Sequence, residues 1–590
     1  MDPIKVDFGS RGKNRKKEII IPPEKAVLKI IISVVGTLLL SALYYYLMLP
    51  PINLKAPEFY MFIAAVFAIY IVLTGLTTKA MAKPEYIPYL KKHSIIPVIA
   101  ILLVGIVVGL GFAVSSVFFR AKKYSEIMPV NENGVFSTEI EKQDAKTYSN
   151  IPRLDEPAAA NLANRALSTL SNLGKVSQFT VYPEYPQINY KGEPVRVATL
   201  DYANIIKWFT NRKEGFPGYI VINMATQKTE FEEFKEPMMY SPAEHLGRLL
   251  KRKLRFDYPT YIFGNPVFEL DEDSNAFWIC PVMDKTIGMF GGVDVKGMVL
   301  LNPNNGTSVY YDLETVKNAD DLRWIDRLYS SELLIQQYNY HGKYNGGFWN
   351  SILGQKNVYM TTEGNSIIAK DDDVYLYTGV TSVTSDKSII GFILINQRTK
   401  AATYYRVAGA MESTAMETAQ GMVQDLGYTA AFPLLINVGD QPTYFMALKD
   451  SEQVNQRFAM IHVEKYNTIK VVGDSLTDCL EQYLKALTAA GMNVEFNVDD
   501  IQEGGESGEV KPDEVKTVTG TVAEIRTAVM GGESWYFIKL AGGDVYYSVS
   551  ASKAKDAIIL NNGQNVTVTF AAVESSGRII EVDSLKLEVQ

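Results

Sequence analysis

The chain has 590 residues, 47% of them hydrophobic, a net charge of −8, two cysteines and four histidines. One hydrophobic core does not serve that length, so three or four domains are expected. So few cysteines exclude a scaffold built on disulfides, and the charge balance is acidic rather than that of a nucleic-acid binder.

The apolar residues are unevenly spread. Windows 27–49, 59–76 and 95–119 are almost free of charge, with only Lys29 interrupting the first. A bilayer core of about 30 Å takes roughly 20 apolar helical residues, so each window predicts a membrane span. Three such windows in succession argue against buried core helices. Lys5, Arg11, Lys13, Arg15, Lys16, Lys17 and Lys25 precede the first span, and Lys79, Lys83, Lys91 and Lys92 separate the second from the third. The opposite side carries only Lys55, Arg120, Lys122 and Lys123. The positive-inside bias predicts a multi-pass protein of the cell membrane, with a cytoplasmic N-terminus and residues 120–590 extracytoplasmic, in a bacterial type of envelope. The cluster of Arg120, Lys122 and Lys123 runs against that bias. The first window is too long for a cleavable signal peptide and lacks a small-residue cleavage pattern, so it reads as a signal anchor.

Residues 1–119 hold 13 Lys/Arg and 6 Asp/Glu, whereas the other 471 hold 45 and 60. The outer part is therefore acidic, and no nucleic-acid partner is expected; the bilayer is. The basic run 11–17 reads as the positive-inside signal itself.

In chain order, the expected organisation is a basic tail (1–25), three transmembrane helices (26–119), a polar spacer (120–156), α+β modules (157–493), an acidic glycine-rich linker (494–516) and a small barrel (517–590). Pro157 opens a predicted helix that runs to about Leu173 and is closed by Gly174.

The module region repeats one phrase. Gly218-Tyr-Ile-Val-Ile-Asn223, Gly297-Met-Val-Leu-Leu-Asn302 and Gly391-Phe-Ile-Leu-Ile-Asn396 each place four apolar residues between a Gly and an Asn. A short apolar run closed by an Asn/Gly/Thr turn predicts a buried strand entering a hairpin. The return strands read as 229–234, 308–313 and 402–407. A helix is expected after each hairpin: one opened by Ser241, Pro242 and Glu244, one after Ser331, and one from Glu412 to Leu426 ending at Gly427. A fourth, degenerate copy is read at 443–472, with Ala459 in the place of the Gly and a helix that begins with Asp474 or Ser475. The spacings of 79, 94 and 68 residues between the Gly positions suit duplicated small α+β modules rather than a solenoid of fixed period.

Residues 218–231, 297–311 and 391–405, each an apolar strand, a polar turn and an aromatic-bearing return strand, resemble the PepSY class of extracytoplasmic modules. The resemblance implies modules attached to a membrane protein that act by binding or inhibition.

At the C-terminus, 518–522, 535–540, 545–549, 566–570 and 579–582 read as five short strands, with a helix at 551–559. That arrangement resembles an OB-like barrel. Trp535, Tyr536, Tyr546 and Tyr547 are read as core or partner-binding aromatics, because no basic groove accompanies them.

No catalytic, cofactor-binding or metal-binding residue emerges. His93, His245, His341 and His462 stand apart, and His245 beside Glu244 lacks the second histidine of a zinc helix. Gly291-Gly292 and Gly346-Gly347 are not followed by the Lys-Ser/Thr of a phosphate loop, and no nucleophile elbow occurs. Asp271-Glu272-Asp273 and Asp371-Asp372-Asp373 lack the ligand spacing of a calcium loop and read as solvated turns. The cluster Tyr338, Tyr340, His341, Tyr344, Phe348 and Trp349 reads as a packed loop between modules ahead of a binding loop. Cys280 and Cys479 read as buried thiols, a bond between them being the alternative. Asn305 and Asn565 match a glycosylation acceptor pattern that matters only in a eukaryotic secretory pathway.

The expected function is a non-catalytic envelope protein whose outer modules bind a protein or cell-wall partner, with a homo-oligomer through the spans as a further arrangement. The alternative is an envelope enzyme or protease regulator, with Glu269, Asp271 and Glu363 supplying a hydrolytic pair. Three spans without an intramembrane acid or base argue against a transport path. Protease added to intact cells or protoplasts is expected to remove residues beyond Phe119 and to spare the tail. Cleavage within 11–17 from outside reverses the orientation.

Overall fold

A computed structural model describes residues 20–167, 177–370, 373–384, 388–492, 494, 515–530, 533–543, 545–551, 554–571, 579–582 and 584–587. The basic run 11–17, most of the linker and the predicted end of the 157–173 helix lie outside them. The chain divides into two compact units, Met1–Gly504 and Gly505–Gln590.

The first unit begins with α1 (Ala26–Met48), α2 (Pro57–Thr78) and α3 (Ile87–Ser115). All three are long and apolar enough to cross a membrane. Ser33 and Thr77 hydrogen-bond across α1 and α2 at 2.8 Å, a satisfied polar pair within the bundle. A short helix α4 (Val117–Ser125) follows.

The expected spacer is a correction. Strand Val130–Gly134 joins the third sheet, parallel to Ala402–Tyr405, and Met128 and Tyr148 are fully buried. These residues spend their backbone hydrogen bonds and apolar side chains in the fold, so the segment is not a tether.

Among the described residues, four larger sheets follow besides two two-stranded ones, antiparallel except for the Val130–Gly134 edge, and each of the four contains a three-strand meander around one of the repeated runs. The three Gly-to-Asn runs form hairpins of one register: Gly218 pairs with Glu233, Gly297 with Asp312, and Phe392 with Tyr405, so each Gly faces the residue fifteen further on. The turns are alike atom by atom. The Oδ1 of Asn223 accepts from the N–H groups of Ala225 and Thr226 (2.9 and 2.8 Å), that of Asn302 from Asn304 and Asn305 (2.9 and 3.3 Å), and that of Asn396 from Arg398 and Thr399 (2.9 and 2.8 Å). Each is a single helical turn capped at its start by the Asn, as at a helix N-terminus. Each closes on a left-handed residue, Gln227, Gly306 or Lys400, with φ of 61, 74 and 64°.

The glycines are required by close approach. An aromatic ring thirteen residues on lies across each: a Cβ on Gly218 would stand 2.6 Å from Phe231 Cζ, on Gly297 2.7 Å from Tyr310 Oη, and on Gly391 2.5 Å from Tyr404 Oη. The backbone oxygens of Glu232, Tyr311 and Tyr405 block the same position. Glycine under a cross-strand aromatic is a recognised way to fix register.

The fourth hairpin has a longer loop and different chemistry: His462 N–H bonds Ile469 O, seven residues on, where each Asn N–H bonds a carbonyl five residues on, and Ala459 pairs with Val472. Nδ1 of His462 replaces the Asn cap, accepting from the N–H groups of Glu464 and Lys465 at 3.1 and 3.2 Å. Burial pushes His462 down to about 4, which keeps that nitrogen an acceptor at neutral pH.

Neighbouring sheets share cores. The first and second pack around Ile220, Trp278 and Cys280, the second and third around Ile279, Met298 and Ile393, and the third and fourth around Phe392, Tyr444 and Ile461. Helix Leu476–Ala489 covers the fourth sheet on Phe445, Met460 and Leu480. All six residues of Gly391–Asn396 are therefore buried, Ile393 and Ile395 toward one core and Phe392 and Leu394 toward the other. That explains a continuous apolar run in place of alternation. Cys280 and Cys479 are buried free thiols in different cores.

The helix expected from Ser241 starts only at Leu250. Glu244 is the reason: it is buried and accepts from Tyr202 Oη (2.7 Å) and Trp208 Nε1 (2.9 Å) rather than capping a helix. Helices Ser331–Tyr344 and Leu476–Ala489 are capped by Ser330 and Ser475, while Glu412–Met422 stops short of Gly427.

Among its described residues the second unit is a sheet of six strands, not five, and it does not close into a barrel. Val515–Met530 is one long strand that pairs with Asn565–Ala571 along its first half and Glu533–Leu540 along its second. The register shift between Val522 and Glu524 divides the two halves. The outer strands Ile579–Glu581 and Ser584–Leu587 are adjacent in the chain but stand at opposite ends of the strand order. In place of the helix at 551–559 there is one turn, Lys555–Ile558.

Gly391→Ala is expected to destabilise the first unit by about 1–3 kcal/mol through overpacking against Tyr404. Gly421→Ala, where a Cβ meets nothing within 4 Å, should instead add up to about 1 kcal/mol of helix preference. Thermal unfolding of the detergent-solubilised protein distinguishes the two.

Candidate functional site

The candidate site is a cavity of about 640 Å³ in the first unit, bordered by all four sheets. Its wall combines the loop 152–157, Tyr185–Gln187 and Arg196 of the first sheet, Pro281 and Met283 of the second, Ile367 of the third and Phe445–Ala447 of the fourth. The N-terminal turn of helix Ser331–Tyr344 opens on it, with Ser330 capping Leu333 N–H at 3.3 Å.

The wall carries both signs of charge: Arg153, Arg196 and Arg327 against Asp155, Glu156, Glu184 and Glu332. Asp155 is committed elsewhere, as cap of Ala158 N–H and ion-pair partner of the buried Lys449. Arg196 donates from Nη1 to Tyr185 O at 2.6 Å. Burial, and then the like charge of Arg327, push it down to about 10. Burial also lowers Arg327, against the pull of Glu269 and Glu332. The Nε–H groups of Arg196 and Arg327 meet no acceptor among the described residues. Desolvation raises Glu184, and Arg327 opposes the rise. A guanidinium donor kept from water without an acceptor costs about 1–3 kcal/mol, more when charged.

Glu269 holds the Arg327 segment in place. It is fully buried, and its two oxygens accept from the N–H groups of Asp326 (2.8 Å) and Arg327 (2.9 Å). Burial raises it to about 7, against those two bonds. Glu412 plays a comparable part in the third core, accepting from Gly379 N–H (2.7 Å) and Tyr377 Oη (3.1 Å), and burial raises it as well.

The acids of the enzyme alternative do not converge. Glu269 is consumed by backbone contacts, Asp271 organises its own turn by accepting from Asp273 and Asn275, and Glu363 is exposed. None of the three borders the cavity. Among the described residues no group of three His, Cys, Asp or Glu is placed to hold a metal. Asp373 is no solvated turn residue: it is buried and paired with Arg398 at 2.6 Å; Asp371 and Asp372 lie outside the described residues. His341 bonds Ser125 O and Glu132 Oε1 at 3.2 and 3.1 Å, a structural role. The arginines of the cavity were not among the sequence candidates. They are scattered over 175 positions and form no motif, so only the packing of the sheets assembles them.

No protein-family model matches this chain, and no curated protein matches it.

The sign of the pH dependence follows from Glu269. Its folded pKa lies above its unfolded value, so the unfolded chain releases the proton first as pH rises. The stability that Glu269 contributes is then greatest below about 4.5 and is lost as pH rises toward about 7. In Glu269→Gln that decline should shrink, as read by denaturant unfolding between pH 4.5 and 7.5. An unchanged profile in the variant would exclude Glu269 as its source.

Proposed function

We propose that this is a non-catalytic, membrane-anchored binding protein of the cell envelope, and that the central cavity receives a carboxylate-bearing peptide group of a protein or wall polymer. The observation that carries the reading is the placing of Arg196 and Arg327, with Arg153, on the wall of one cavity of about 640 Å³. Guanidinium groups match a carboxylate in planar, charge-assisted geometry. Glu184 and Glu332 on the same wall suit the amide or amino donors that accompany a carboxylate in a peptide. The apolar part of the wall, Met283 and Phe445 among it, suits a short side chain. Orientation with the sheets outside the cell rests on the lysine and arginine bias around α1–α3.

The test is titration calorimetry on the full-length protein in nanodiscs, with short peptides bearing free or amidated C-termini. Free carboxylates should bind, amidation should abolish the heat, and Arg196→Gln or Arg327→Gln should weaken binding about tenfold or more, as for loss of a charged hydrogen bond. Equal affinity for free and amidated peptides, or for the variants, defeats the reading.

A further inference from the structure

The ends of the spans are fastened to the folded part at several points. Lys55 Nζ pairs with Asp284 at 2.8 Å, and Arg255 Nε donates to Leu49 O at 3.0 Å. Ser115 Oγ, at the end of α3, accepts from the N–H groups of Met289 and Phe290 at 2.8 and 2.9 Å. The Phe290 ring packs between Tyr60 of α2 and Phe112 of α3, at 5.8 and 5.0 Å. Because α1 and α3 end and α2 begins at this level, these contacts fix where the surface of a bilayer crosses the unit.

At that level lies an apolar patch that is exposed among the described residues. Phe118, three residues beyond α3, packs on Phe348 and Trp349 at 5.0 and 5.9 Å. Phe119, Trp349, Ile352 and Leu353 are 65, 63, 52 and 76% exposed. The segment is held in shape: Asn350 Nδ2 donates to Lys356 O and Lys356 N–H returns a bond to Asn350 Oδ1, at 2.9 and 3.2 Å. Arg120, Lys122, Lys123, Lys343 and Lys356 surround it in sequence. Aromatic and aliphatic side chains flanked in sequence by cations at the end of a span have the composition of a lipid-interface anchor.

We infer that residues 348–354, with Phe118 and Phe119, insert into the interfacial zone of the same bilayer that α1–α3 span. Lipid is the occupant because exposed Phe118 and Phe119 follow directly on α3, a helix long and apolar enough to cross a membrane, and Phe118 ties Phe348 and Trp349 to its end. The inference also accounts for Arg120, Lys122 and Lys123, the cluster that runs against the charge bias: at headgroup level, cations are favourable on either face of an anionic membrane.

The experiment uses full-length protein in nanodiscs holding one copy each, made from phosphatidylcholine and phosphatidylglycerol with or without lipids brominated near the headgroup end of the acyl chain. The chain has five tryptophans, so the difference between wild type and Trp349→Phe isolates Trp349. Bromolipid is expected to lower that difference fluorescence about twofold, and aqueous iodide to leave it nearly unchanged, as for a ring at the interface. Quenching by iodide but not by bromolipid would overturn the inference by placing Trp349 in water. Protection from both quenchers that appears only in discs with two copies would overturn it in favour of a second chain. Leu353→Ser, which alters exposure without touching Trp349, should weaken bromolipid quenching while leaving the unfolding temperature in place.

Discussion

The fold of the first unit depends on an asparagine side chain that completes a turn its backbone cannot complete alone. In Asn223, Asn302 and Asn396 the carboxamide oxygen takes two N–H groups that face the inside of a hairpin loop. With those donors satisfied, the loop has one length and the two strands one register. A slip of one residue would turn Ile393 and Ile395 out of one core and Phe392 and Leu394 out of the other. The glycine at the far end enforces the same register independently, since only a residue without Cβ passes beneath the opposing ring.

Much of this was legible in the sequence, for a physical reason. The spans were readable because a bilayer demands continuous apolar length, and the hairpins because strands buried on both faces cannot alternate. The helix cap at Ser475 followed from local chemistry. What failed was decided at a distance. Ser241, Pro242 and Glu244 spell a helix start, yet Tyr202 and Trp208, some forty residues earlier, claim the glutamate. The segment after α4 is polar and carries no apolar period, yet Val130–Gly134 finds an open strand edge at Ala402–Tyr405. The arginine-lined cavity was illegible for the same reason, because Arg153, Arg196 and Arg327 become neighbours only when four sheets stack.

Buried polar residues in these cores are tied either to backbone, as Glu269 is, or to other side chains, as Asp373 is to Arg398. Glu269 fastens the approach to helix Ser331–Tyr344, Glu412 the strand at Gly379, and Asp373 with Arg398 the turn of the third hairpin. Each buried carboxylate carries a desolvation cost that its hydrogen bonds offset only where the geometry is met. Such residues add little net stability and instead penalise alternative packings of rather similar sheets.

The fastening of the helix ends changes how the molecule responds to load. A domain joined to its anchor by one loose strand can swing and absorb a pull. Here α1, α2 and α3 each reach the sheets through separate contacts at Leu49, Lys55, Tyr60 and Ser115. A force or torque applied to the outer sheets is shared among three helices, and a change in their tilt turns the whole stack with them, as a lever turns on a fixed pivot.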